Sequence, residues 1–394
     1  MKESYRQSLV LVSGTVINSL LGLGFYVLVA RALPVDAFGY FSALLGVGLV
    51  AAELADLGIN TAIVKFGSGK SFPTIFSFAV VERGLTCLLL AAVFFAAAKA
   101  VDPLLLYSGA TAVSLLLFYL ATQSLIARQK YGWQVGVSIA GNLGRLALVV
   151  FLVSAQTLTF VSALVAFCLG AGLTFVAGVG LLFTQFRWGL WNRRGWYQTT
   201  REVFRFALPT AASFSLASLA GKIDAPLVFT LSGPVAAGLY SSAQKLVSVV
   251  VQVAAALDGV FAPKFSAKVN FLRAFREYLI LTTVFGLAIL AAIPLAQFFI
   301  PLVFGTRYLS AVTVFQILLV GSVFLLLSGP FAAAILYKHG RPLISLGINA
   351  VIFVITIGLF LLLVPTFGPI GAALAAVVGN FIGLGLSVIK WRQL

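Results

Sequence analysis

Charge is what this sequence is shortest of. Asp, Glu, Lys and Arg make up 9% of its 394 residues, while 61% are hydrophobic and the mean hydropathy is +1.10. A water-facing surface needs roughly 25% charged residues, so a soluble fold is excluded and the bilayer is the solvent. Histidine is scarcer still. The single one, His339, lies in the polar stretch Tyr337-Lys338-His339-Gly340-Arg341, where a solvated loop side chain is the plain reading. There is no metal-ligand cluster, no Ser-His-Asp set and no pair of carboxylates outside the apolar runs, so neither an enzyme nor a bound cofactor is expected. The two cysteines, Cys87 and Cys168, sit inside apolar runs as small core hydrophobes, which excludes a disulfide framework.

A nucleotide site is also missing. Gly69-Lys70-Ser71 ends like a phosphate-binding loop, but that motif needs glycine where Val64 stands, and the stretch follows a membrane helix rather than a strand. Any work the chain does would therefore draw on an ion gradient, the membrane potential or consumption of a product rather than on a nucleotide. The first apolar run, Leu9 to Ala30, is too long for a signal-peptide core of 7–15 residues and reads as a retained first helix.

What the sequence does have is long apolar runs. Each membrane pass needs about 20 such residues. Cutting at charged, Gly and Pro clusters predicts twelve passes: 9–30, 38–58, 74–98, 103–126, 133–154, 158–185, 206–230, 235–261, 278–300, 310–336, 343–364 and 369–389. With both termini in the cytoplasm, nineteen Lys and Arg fall on the cytoplasmic side, while only Arg31, Lys99 and Arg307 fall outside. One miscounted pass would destroy that asymmetry. All five Trp also fall at cytoplasmic boundaries, as interfacial anchors should. The net charge of +16 thus reports topology and contact with anionic membrane lipids, not nucleic acid.

An internal repeat organises the runs. Residues 33–43, LPVDAFGYFSA, match residues 233–243, GPVAAGLYSSA, with Pro, Val, Ala, Tyr, Ser and Ala coinciding at an offset of 200. Both copies enter an even-numbered pass from outside, so the halves run in the same direction. The expected fold is an all-α polytopic membrane protein: two parallel six-helix lobes, 1–185 and 206–394, around a central cavity. A basic, aromatic linker, 186–205, would lie on the cytoplasmic face. The segment Lys264–Glu277 looks similar, with Phe265, Val269, Leu272 and Phe275 expected on one helical face.

Charges inside passes are costly and tend to face a cavity or a partner. Arg83, Arg145, Lys222 and Lys245 are the deep cations. Glu53, Glu82 and Asp224 accompany them, with Asp56 and Asp258 near cytoplasmic ends. Such charges either lock helices together, Arg83 with Glu53 being one pair of matching depth, or bind a ligand. Arg145 and Lys245 have no acid at an obviously matching depth, and Asn142 shares the helical face of Arg145. Mid-membrane Arg and Lys suit a phosphate or acidic sugar. Asn18, Gln123, Asn142, Gln252, Asn349 and Asn380 suit hydroxyl groups, each of which costs several kcal/mol to carry unpaired through hydrocarbon. By depth, Asp224 or Glu82 is the candidate coupling carboxylate for an ion, H+ or Na+.

Several stretches resemble a known family. Arg31-Ala32-Leu33-Pro34 through Phe38-Gly39-Tyr40, then Ala55-Asp56-Leu57-Gly58, look like the opening of Wzx-type polysaccharide (O-antigen) flippases. These belong to the multidrug/oligosaccharidyl-lipid/polysaccharide exporter superfamily. Gly238 to Leu246, Pro263 and Gly368-Pro369-Ile370-Gly371-Ala372-Ala373 are similar to its second half. The resemblance implies movement of a lipid-linked oligosaccharide, carried on undecaprenyl pyrophosphate, from the cytoplasmic to the periplasmic leaflet of a bacterial inner membrane. It also implies a basic cavity, for which Arg145, Lys245, Arg83 and Lys222 are the candidates. Two other readings stay open: a multidrug or organic-cation antiporter of the same superfamily, and a non-transporting membrane assembly partner.

Overall fold

The computed structural model describes residues 2–67, 72–183, 193–266 and 271–394, and every regular element among them is a helix. In hydrocarbon a segment must satisfy its own backbone, which leaves the helix as the available spanning form for a chain of such apolar runs. The first half is built of α1 (Lys2–Ala32), α2 (Val35–Asp56), α3 (Ile59–Phe66), α4 (Phe72–Ala100), α5 (Leu105–Ala127), α6 (Tyr131–Ser154) and α7 (Phe160–Gly180). Then come α8 (Arg193–Ser266), α9 (Phe271–Ala292), α10 (Ala296–Phe304), α11 (Ala311–Ala333), a π-helical turn Ala334–Lys338, and α12 (Pro342–Arg392).

Ten helical stretches among the described residues are long and apolar enough to cross a membrane. Two of them are each two passes. Gly233 (φ 84°) interrupts α8 and Gly368 (φ 58°) interrupts α12, both at left-handed angles that favour glycine. The halves fold back on themselves: Tyr240 and Gln244 reach Asp224 across the first break. Across the second, Gly379 abuts Thr356 and Gly383 abuts Ile352. Twelve passes result, as the sequence predicts. The short α3 is the element that the apolar runs did not announce.

Hydroxyl side chains inside the passes bond back to their own helix, as Thr111 Oγ1 does to Tyr107 O (2.8 Å) and Ser322 Oγ to Leu319 O (2.7 Å). Large apolar side chains face outward instead, among them Leu88, Phe151, Leu302 and Leu362. That is the arrangement a lipid environment requires.

The chain divides into two compact units, described separately. The first comprises Met1–Leu33 and Leu44–Ser215. Here α1 packs on α6, and α7 on both α5 and α6. Ser108 Oγ donates to Leu44 O (2.8 Å), and a core of Ile63, Phe72, Phe76, Leu120 and Leu125 ties α3 and α4 to α5. Thr159 starts α7 with a reciprocal cap, Ser162 N to Thr159 Oγ1 (3.1 Å) and Thr159 N to Ser162 Oγ (2.8 Å).

The second unit comprises Pro34–Ala43 and Leu216–Leu394, and in it the two copies of the repeat meet. A side chain on Gly39 would overlap the Pro234 carbonyl, and one on Gly238 would overlap the Val35 carbonyl. The contact is therefore reciprocal, backbone against backbone. Tyr40 lies edge-on to Phe229, with centroids 4.9 Å apart.

At the other end of this unit Phe265, Phe271, Phe275, Phe331 and Trp391 form an aromatic cluster, with Phe275 and Trp391 stacked at 4.9 Å. This corrects the expected apolar face over 264–277, because Leu272 is 77% exposed and points away from the cluster. Helix α8 ends and α9 begins within that segment. Val269, the Gly69-Lys70-Ser71 stretch and the linker residues 186–192, with Trp188 and Trp191, lie outside the described residues. From Arg193 onward the expected linker is already part of α8.

Candidate functional site

Arg83 is fully buried on α4. Its Nη2 pairs with Asp56 Oδ1 at the end of α2 and donates to Asn60 Oδ1 on α3 at 3.1 Å. Glu82 lies beside it, Oε2 at 3.7 Å from Arg83 Nε, while Glu82 Oε1 accepts from Thr86 Oγ1 at 2.8 Å. Asp56, one turn beyond the Glu53 that depth alone suggested, is an acid in direct contact. Two expected site residues, Arg83 and Glu82, thus stand in one ion cluster that clamps α2, α3 and α4 together.

Arg145 has different surroundings. Its guanidinium lies over the rings of Phe25 (4.8 Å) on α1 and Phe167 (5.2 Å) on α7. Such cation–π seats are worth about 0.5–2 kcal/mol and hold the charge without neutralising it. Arg145 makes no ion pair among the described residues, and its buried Nε has no hydrogen-bond partner. The side chain borders a pocket of about 220 Å³ whose polar lining also includes Asn142, Ser138 and Thr174. Asn142 Nδ2 donates to Asn18 Oδ1 (2.6 Å), fastening α6 to α1 one turn from the guanidinium. Arg145 and Asn142, predicted to act together, line one pocket.

In the second unit Asp224 is 6% exposed and well supplied with donors. Tyr240 Oη donates to Oδ2 at 3.0 Å, Gln244 Nε2 donates to the same oxygen, and Ala225 N donates to Oδ1 at 3.0 Å. The Lys245 ammonium adds an attractive field at this carboxylate. Lys222 and Lys245 are both half-buried on α8, on opposite sides of the break at Gly233.

The sequence reading passed over one further region. A pocket of about 380 Å³ opens between α8, α11, the π-helical turn and α12, and its polar lining includes Asp258, Asn349, Asn380, Ser345 and Ser387. Asp258 Oδ1 accepts from Tyr278 Oη at 2.6 Å. Asn349 and Asn380, each a hydroxyl-binding candidate by sequence, lie on the two arms of α12, and only its fold-back at Gly368 brings them together.

Known proteins bear on this arrangement. The chain resembles the capsular polysaccharide biosynthesis protein CapF of Staphylococcus aureus at 24% identity over 191 residues, which is 47% of this chain and 48% of that relative. The match therefore spans about half the length of the relative. Two solved structures share the fold. The lipid II flippase MurJ, in an inward closed conformation, superposes with a TM-score of 0.78 at 16% identity, covering 98% of this chain and 87% of that one. An inward-facing multidrug resistance MATE family transporter of the MOP superfamily superposes at 0.71 and 15% identity, covering 95% and 94%. The sequence also matches, over residues 4–268, the family described as polysaccharide biosynthesis protein. This multi-pass membrane chain belongs to the polysaccharide biosynthesis protein family.

Proposed function

We propose that the protein moves an oligosaccharide linked to undecaprenyl pyrophosphate from the cytoplasmic to the periplasmic leaflet of the bacterial inner membrane, by alternating access, in the assembly of a surface polysaccharide. The two halves, 1–185 and 206–394, are the parts that move, and both termini are cytoplasmic. The observation that carries the reading is Arg145, a cation held in apolar surroundings by two aromatic rings, with an unused donor beside a pocket and no acid paired to it among the described residues. A charge so placed is costly unless a counter-ion arrives, and a pyrophosphate is such a counter-ion. Its charge-assisted hydrogen bonds to a guanidinium are about twice as strong as neutral ones.

Asn142 binds alongside Arg145, and Lys245 and Lys222 are the candidate substrate-binding cations of the second half. Arg83 has a buried acid in contact, which suits it to holding helices rather than substrate. The same cluster takes Glu82, so Asp224 is the better coupling carboxylate for H+ or Na+. Family membership supports the polysaccharide side of the reading, and a cationic centre is a poor seat for an organic cation.

Leaflet translocation of a fluorescent undecaprenyl-pyrophosphate tetrasaccharide in proteoliposomes tests this, with uptake of a cationic dye measured in parallel. Saccharide-lipid movement without dye uptake is the expected result. Dye uptake without lipid movement makes the protein an organic-cation antiporter. Neither activity leaves a non-transporting assembly partner.

A further inference from the structure

The pocket of the second unit has chemistry that the pyrophosphate does not use. Its volume, about 380 Å³, falls in the range of roughly 300–1,000 Å³ usual for small-molecule sites. No Lys or Arg lines it; Asp258, Asn349, Asn380, Ser345 and Ser387 do. Several of their polar atoms are left for a ligand. Asp258 spends Oδ1 on Tyr278, which fixes the carboxylate and leaves Oδ2 to accept. Asn380 spends Nδ2 on Gly321 O (3.2 Å), which leaves its carbonyl oxygen. The Asn349 amide and the Ser387 hydroxyl make no hydrogen bond among the described residues. One wall is irregular backbone: the π-helical turn Ala334–Lys338 carries Tyr337, 42% exposed, into the lining, and such turns recur at functional sites.

A carboxylate, two carboxamides, two hydroxyls and an aromatic face are the groups that recognise adjacent sugar hydroxyls. An anion has no cation to meet here. A bare metal ion would leave most of the space unfilled.

We infer that this pocket is a glycan subsite, which takes an uncharged, hydroxyl-rich sugar of the lipid-linked substrate through Asp258, Asn349 and Asn380, apart from the pyrophosphate-binding Arg145. The inference rests on the function proposed above and deepens it by giving the sugars of the substrate a pocket of their own within the second unit. The glycan is therefore read by the protein and not merely carried.

Two probes separate the ideas: bare undecaprenyl pyrophosphate, and the same carrier bearing a tetrasaccharide of neutral hexoses and N-acetylhexosamines. Their binding to the full-length chain in detergent is measured by native mass spectrometry. The wild type should prefer the glycosylated probe by roughly tenfold, the equivalent of one or two net hydrogen bonds. Asp258→Asn and Asn349→Leu should erase most of that preference and leave the bare carrier bound as before. Arg145→Ala should weaken both probes alike. A merely structural pocket would instead lower both affinities together in the Asp258 and Asn349 variants, and that result overturns the subsite.

Equal wild-type binding of the two probes also overturns it while leaving the flippase reading intact. If NaCl raises the thermal midpoint of the wild type but not of Asp258→Asn, and no glycan preference exists, the pocket is a cation site. Absence of binding by either probe, with no leaflet translocation, removes the proposed function and this subsite with it.

Discussion

Arg83 offers the sharpest test of which intramembrane charges hold the protein and which serve a substrate. Its side chain is fully buried, against side-chain exposures of 17% for Asp56 and 10% for Glu82. Arg83→Leu removes the cation and leaves two carboxylates facing each other's surroundings, with Asn60 deprived of its donor. Breaking a buried pair in this way costs about 3–5 kcal/mol, a factor of roughly a hundred to several thousand in the folding equilibrium. Heating the detergent-solubilised protein and following its monodisperse peak by fluorescence-detected gel filtration should show a midpoint several degrees lower.

A neutral replacement of the whole cluster, Arg83→Met with Asp56→Asn and Glu82→Gln, should recover most of the loss, since an apolar or neutral isostere of a buried pair is often no less stable. The non-additivity is the diagnostic quantity, because residues sharing one network couple by about 0.5–3 kcal/mol. An Arg83→Leu protein as stable as the wild type, but unable to transport, would refute the reasoning and return Arg83 to the substrate.

Three further outcomes are expected. Gly238→Ala sets a methyl group against the Val35 carbonyl and Gly39→Ala sets one against Pro234; each should destabilise by about 1–3 kcal/mol. Gly172→Ala, in open space on α7, should be neutral or stabilising by up to ~1 kcal/mol; equal melting of all three variants would contradict the close approach. Asp224→Asn should flatten the pH or Na+ dependence of transport while leaving the protein inserted, and an unchanged dependence in proteoliposomes removes Asp224 from coupling. Trp391→Ala should open the aromatic cluster around Phe275 and Phe331 and, the side chain being partly buried, destabilise the protein by about 1–3 kcal/mol and lower its thermal midpoint, whereas an unaltered midpoint would make that cluster a bystander.

Much of this architecture was legible in the sequence because the bilayer imposes one strong rule. An apolar run of about 20 residues becomes a helix, and Lys and Arg mark its cytoplasmic end. The breaks at Gly233 and Gly368 were legible too, as Gly-Pro pairs between runs. The short α3 was not, since eight residues carry too little apolar length to register as a pass. At the candidate sites the sequence supplied depth but not rotation. It placed Arg145 and Asn142 together because they are three residues apart on one helix. It did not place Asp56 on Arg83, because that contact depends on how the end of α2 is rotated about its own axis. Asp258 was legible only as an acid near a cytoplasmic end, for a related reason: Asn349 and Asn380 join it in one pocket only once α12 has folded back on itself.

The central claim is that Arg145 meets a pyrophosphate. The most direct measurement is the initial rate of leaflet translocation of undecaprenyl-pyrophosphate tetrasaccharide in proteoliposomes containing the wild type, Arg145→Lys or Arg145→Ala at matched protein density. Loss of a charge-assisted hydrogen bond of about 1.5–3 kcal/mol predicts a fall of roughly tenfold to a hundredfold for Arg145→Ala. Lysine, which keeps the charge but not the planar fork, should fall in between. Equal rates in all three proteins would contradict the account, because a buried cation that the substrate never meets has no part in moving it.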